Sequence, residues 1–118
     1  MYFEITKFFE FEAAHKLPKY DGKCQNLHGH SYKLEVSVKI LTKSLARGIG
    51  IDTSMIKLVV EENVINKLDH SLLNDTIEDP TMENICLWIQ KELKEALPLC
   101  KLRLWETSKN SVTLNINE

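Results

Sequence analysis

No apolar run in the 118-residue chain approaches the roughly 18 residues that a bilayer-crossing helix needs. No long run of one charge sign occurs either. With 15 Lys and Arg against 17 Asp and Glu the net charge is −2, which offers no electrostatic footprint for nucleic acid or an anionic membrane. The expected partners are small molecules or sister chains. Three cysteines, Cys24, Cys86 and Cys100, are odd in number and irregularly spaced, which argues against a disulfide framework and suits a reducing compartment. The start, Met1-Tyr2-Phe3-Glu4, shows no basic segment followed by an apolar stretch, so the expected location is cytoplasmic. Repeats, linkers and low-complexity tracts are absent, and residues 1–118 are expected to form one domain that buries about two-thirds of the unfolded surface.

Histidine is also scarce, and its placement is informative. Of the four histidines, His28 and His30 lie two residues apart, so on a strand both rings point to one side. His15 ends an earlier alternating segment in which Phe3, Ile5, Phe9, Phe11 and Ala13 share its parity. Three imidazoles closing apolar strand faces would be costly to bury unpaired, whereas one cation satisfies all three. Nitrogen ligands favour zinc over calcium or magnesium, without excluding iron, nickel or copper. Three ligands leave the fourth position of a tetrahedral ion open for chemistry.

The second segment alternates cleanly from His28 through Tyr32, Leu34, Val36, Val38 and Ile40, and the first carries a break at Lys7 and Phe8 where a bulge could shift the register. A helix is expected over about 53–68, capped by Asp52, Thr53 or Ser54, with Ile56, Val59, Val60, Val64 and Leu68 on its apolar face. Asp79-Pro80-Thr81 opens a second helix carrying Ile85, Trp88, Ile89, Leu93 and Leu97, which Pro98 stops. Two strands follow, one placing Cys100, Leu102, Leu104 and Glu106 on one face, the other Val112, Leu114 and Ile116. The ββααββ order predicts an α+β fold in which a four-stranded antiparallel sheet carries two helices on one face. Its open edges invite closure into an oligomeric barrel.

Further polar residues carry more than one reading each. Cys24 is a fourth ligand closing a structural site, an inert small hydrophobe, or a thiolate base acidified by a nearby cation. Asp69-His70 is a helix C-terminal pair or a carboxylate-oriented imidazole that shuttles protons. Glu106, on an inward face, needs a partner: a basic side chain, or a planar ligand with adjacent N–H groups such as a guanine or pterin ring. Trp88 and Trp105 are read as packing residues.

Taken in order, Phe11-Glu12-Ala13-Ala14-His15, Cys24 separated by three residues from His28-Gly29-His30, Leu68-Asp69-His70 with Leu73-Asn74, Pro80-Thr81-Met82-Glu83-Asn84 and Glu106-Thr107 resemble the 6-pyruvoyl-tetrahydropterin synthase family. The short gap after Cys24 is similar to that of its bacterial 6-carboxy-5,6,7,8-tetrahydropterin synthase branch. The resemblance implies the tunnelling fold, with trimers closing a twelve-stranded barrel, two trimers stacked, and active sites between subunits. It implies Zn2+ on His15, His28 and His30, proton handling by Cys24, Asp69 and His70, and a pterin anchored by Glu106 with Thr81 and Glu83 near the pocket. Thr81 also reads as a plain helix cap. The implied reaction is a lyase conversion of 7,8-dihydroneopterin triphosphate to 6-carboxytetrahydropterin, acetaldehyde and triphosphate in queuosine biosynthesis, with Lys16, Lys19 and Lys23 close enough in sequence to meet the phosphates. The alternatives are a pyruvoyl product formed by triphosphate elimination alone, or a non-catalytic zinc-stabilised binding module.

Overall fold

The structure is a computed structural model that describes residues 1–19, 21–22 and 25–117. Cys24 and Lys23 lie outside the described residues. Two long strands dominate: β1 (Tyr2–His15) and β2 (His28–Leu41) pair antiparallel in unbroken register from Tyr2 opposite Leu41 to His15 opposite His28. Fourteen residues at about 3.3 Å each account for most of the 51 Å long axis. No bulge interrupts Lys7 and Phe8. Phe8 instead stays on the exposed face, where the Lys33 ammonium sits 4.6 Å from its ring centroid.

Asp52 accepts a hydrogen bond from the Ser54 amide and starts α1 (Thr53–Val60). The chain then passes through a π-type turn, Glu61–Ile65, into α2 (Asn66–Leu68), so the expected helix is one continuous body. Its buried residues, Ile56, Val60, Val64 and Leu68, recur every fourth position. On a 3.6-residue helix that spacing drifts by about 40° per step, and the wider π turn takes up the drift and keeps Leu68 on the core face. Asn63 donates its side-chain amide to the Val59 carbonyl across this turn.

After α2 the chain forms a two-residue strand, β3 (Ser71–Leu72), parallel to β1 at Ala13 and Ala14. The expectation of four antiparallel strands is therefore corrected: among the described residues the sheet has five strands, is mixed, and runs β3-β1-β2-β4-β5. Two residues are too few to show any periodicity. Thr81 accepts from the Asn84 amide to cap α3 (Met82–Leu93), and β4 (Leu99–Thr107) and β5 (Asn110–Asn115) complete the sheet antiparallel.

A second correction concerns β4. Its register against β2 shifts between Ser37 and Val38, so Leu99 is buried while Cys100 turns to the other face, its thiol 3.6 Å from the Ser37 carbonyl. Parity alone had grouped Cys100 with the inward-facing Leu102. The core lies between the inner sheet face, with Phe11, Leu34, Val36, Leu102 and Leu104, and the helices, with Ile56, Leu68, Ile85 and Ile89. Each such side chain stabilises the fold by about 1.5–3 kcal/mol. No helix of the described residues is long and apolar enough to cross a membrane.

Candidate metal centre

The hairpin register decides where the histidines meet. His15 ends β1 directly opposite His28, which begins β2, and His30 follows two residues later on the same face. Ring centroids are 4.6 Å (His15–His28), 5.1 Å (His15–His30) and 4.8 Å (His28–His30) apart. One ligand atom from each lies within 4.8 Å of the others.

Proton bookkeeping on these rings is constrained by two backbone carbonyls. His15 Nδ1 is 2.8 Å from the Pro80 oxygen and His28 Nδ1 is 2.7 Å from the Asn26 oxygen. A carbonyl oxygen only accepts, so both Nδ1 atoms carry hydrogen and, in the neutral rings, both Nε2 atoms present lone pairs. These two Nε2 atoms face each other at 3.0 Å. Two lone pairs at that separation repel unless a cation lies between them. His30 Nε2 is itself buried without a hydrogen-bond partner among the described residues. The donor set therefore fits a nitrogen-preferring first-row ion such as zinc, with carbonyls supplying the outer hydrogen bonds that orient such ligands.

Glu106 reaches the same place. Its Oε1 lies 3.4 Å from His30 Nε2, an ion-pair distance without hydrogen-bond alignment. A register irregularity between Trp105 and Thr107 sits at this carboxylate, a device that often re-aims a side chain at a site. Burial, more than any charge, holds the His30 imidazole below its ordinary value; Glu106 pulls it upward, and His15 and His28 push it further down. Burial, helped by the Glu106 charge, pushes the neighbouring Tyr32 hydroxyl well up.

Asp69 and His70 are placed differently. Asp69 Oδ1 accepts from the Glu12 amide at 2.9 Å, and the His70 amide donates to the Glu12 carbonyl at 2.6 Å, so the pair is clamped to β1 just beyond α2. His70 adopts a left-handed backbone, φ 57°, and its side chain is 79% exposed, 3.6 Å from Asp69 Oδ2. It lines a cleft of about 440 Å³ with Glu12, Ala14, Ser31 and His30. Glu12, Ala14 and Ser31 have the opposite parity to the triad, so this cleft opens beside the other sheet face.

The remaining candidates make contacts of their own. The Thr81 hydroxyl is engaged as a cap, and Glu83 is exposed in the first turn of α3, where a carboxylate suits the helix dipole. Lys16 and Lys19 are exposed, and the Lys16 backbone is held by the Asn74 amide side chain. Arg103 lies 4.2 Å over the half-buried Trp105 ring, and Trp88 packs against the core. Sequence reasoning missed the Pro80 and Asn26 carbonyls, which carry no residue-type signal. It also missed Tyr32, whose shared parity with His30 was a usable one, and Glu12, whose carboxylate accepts from the Ser31 hydroxyl at 2.7 Å.

The sequence pattern of the 6-pyruvoyl tetrahydropterin synthase family matches residues 4–117. The chain belongs to this family. A 6-carboxy-5,6,7,8-tetrahydropterin synthase of Synechocystis sp. is 44% identical over 97 residues, covering 78% of this chain and 75% of that protein. A dihydroneopterin monophosphate aldolase of Pyrococcus furiosus is 37% identical over 108 residues, covering 88% and 90%. Among solved structures, 6-pyruvoyl tetrahydropterin synthase of Caenorhabditis elegans superposes with a TM-score of 0.83 at 25% identity, covering 99% of this chain and 97% of that one. The family fold thus extends along the chain, with the histidine triad at one end of its long hairpin.

Proposed function

We propose that the protein is a zinc-dependent 6-carboxy-5,6,7,8-tetrahydropterin synthase, converting 7,8-dihydroneopterin triphosphate and one water to 6-carboxytetrahydropterin, acetaldehyde and triphosphate, in the cytoplasm and in service of queuosine biosynthesis. The observation that carries this reading is the facing pair of His15 and His28 Nε2 lone pairs, with His30 completing the group. The similarity to the Synechocystis synthase supports the substrate class. His15, His28 and His30 would hold the ion, which supplies Lewis-acid stabilisation of negative charge when bound.

The chain's own residues then divide the work. Glu106 presents two acceptor oxygens to the adjacent N–H groups of a pterin ring and so fixes its orientation. Cys24, four residues before His28, removes or returns a proton as a thiolate, and His70, oriented by Asp69, moves a proton elsewhere along the side chain. His70 is too exposed to exclude water, and β5 leaves an open sheet edge. Association of copies into a barrel, trimeric or a dimer of trimers, covers that edge and brings the Asp69-His70 pair of one copy to the centre of another.

The test is incubation of the zinc-loaded protein with 7,8-dihydroneopterin triphosphate and identification of the product by mass. Acetaldehyde with a carboxylated pterin supports the proposal, and a pyruvoyl pterin replaces it with triphosphate elimination alone. The likeness to the Pyrococcus aldolase favours a second reading, carbon–carbon cleavage of dihydroneopterin monophosphate, which the same assay on that substrate distinguishes. Absence of turnover in zinc-loaded protein favours a non-catalytic module.

A further inference from the structure

Directly beneath the three imidazoles lies a residue that packing alone does not explain. Along the inner face of β2 the residues after His30 are Tyr32, Leu34, Val36, Val38 and Ile40; all but Tyr32 are aliphatic, although Tyr32 is only 1% exposed. A buried phenol is costly unless its oxygen finds a partner. The Tyr32 ring stacks on Phe11 at 4.9 Å and 11° between planes, which locks it in place. From there it meets the His15 and His30 rings at 6.2 and 5.5 Å, both nearly perpendicular. Its oxygen is 3.4 Å from His15 Nδ1. Since that Nδ1–H is donated to the Pro80 carbonyl at 2.8 Å, the phenol oxygen is the second, longer acceptor of the same hydrogen.

We propose that Tyr32 is a positioning residue of the metal centre: its ring fixes the planes of His15 and His30, and its oxygen helps keep the His15 hydrogen on Nδ1 so that Nε2 is free for the ion. The inference rests on the metal reading above. Outer hydrogen-bond partners of this kind change metal affinity when removed, because the ligand loses its preset tautomer and ring angle.

The experiment compares wild type, Tyr32→Phe and Tyr32→Leu by zinc affinity in competition with a chelator, by the visible spectrum of the cobalt-substituted protein, and by melting of the metal-free chain. For Tyr32→Phe the expected result is a metal-free melting temperature close to wild type with zinc affinity reduced by about tenfold, the lower end for such partners. Tyr32→Leu should weaken zinc further and shift the cobalt bands. If Tyr32→Leu does not fold, Tyr32→Phe decides alone. Wild-type affinity in Tyr32→Phe together with an unchanged cobalt spectrum overturns the inference while leaving the metal reading intact. Wild-type protein that takes up no zinc overturns both.

Discussion

At the scale of single residues, the centre depends on where hydrogens sit. His15 and His28 each give their Nδ1 hydrogen to a carbonyl, and burial keeps His30 below its ordinary value of 6.5. A folded state that holds His30 less protonated than the unfolded chain is stabilised above the unfolded value and loses that stabilisation as pH falls through the lowered one. Melting of the metal-free protein should therefore drop on acidification below about pH 6.5, and His30→Gln should reduce that dependence; an equal drop in both would show that other groups cause it. Cys24→Ala should keep zinc and abolish turnover. Elemental analysis showing zinc lost from that variant would make the thiol a ligand and sink the proton-transfer role. The three histidines were legible as residues because β2 alternates throughout and β1 alternates from Phe9 to its end. The carbonyls that set their tautomers were not, since every residue carries one.

At the scale of elements, the Pro80-Thr81 corner links helix and site. Thr81 caps α3 while the preceding carbonyl orients His15, so one short segment serves both. Thr81→Ala should destabilise the fold by about 1 kcal/mol, measurable by denaturant unfolding, with turnover affected far less than by loss of a histidine. An equal collapse of activity in folded, zinc-loaded Thr81→Ala would place the hydroxyl in the substrate pocket instead. Both helices were readable from apolar spacing, and even the π turn has a trace in the strict four-residue interval of Ile56, Val60, Val64 and Leu68. β3 and the irregularities of β4 were not readable. A two-residue strand has no period, and a bulge changes facing without changing composition, which is why Cys100 was misplaced.

At the scale of the whole molecule, the triad occupies the end of one sheet face while His70 lines a cleft, shared with His30, that also takes in Glu12 and Ser31 of opposite parity. If copies complete one another's sites, mixing inactive Cys24→Ala with inactive His70→Ala and allowing exchange should restore measurable turnover. Persistent inactivity of a mixture shown to exchange subunits would confine each site to one chain.

The sequence by itself determined the long hairpin, the two helical bodies and the convergence of His15, His28 and His30, because period-two and near-four patterns dictate which side chains share a face. Only the tertiary structure decided that Glu106 meets His30, that Pro80 and Asn26 hold the imidazole tautomers, that Tyr32 underlies the three rings, and that the His70 side chain is exposed. Those relations join residues far apart in the chain, or use backbone atoms common to every residue, and they exist only once the sheet and helices have packed.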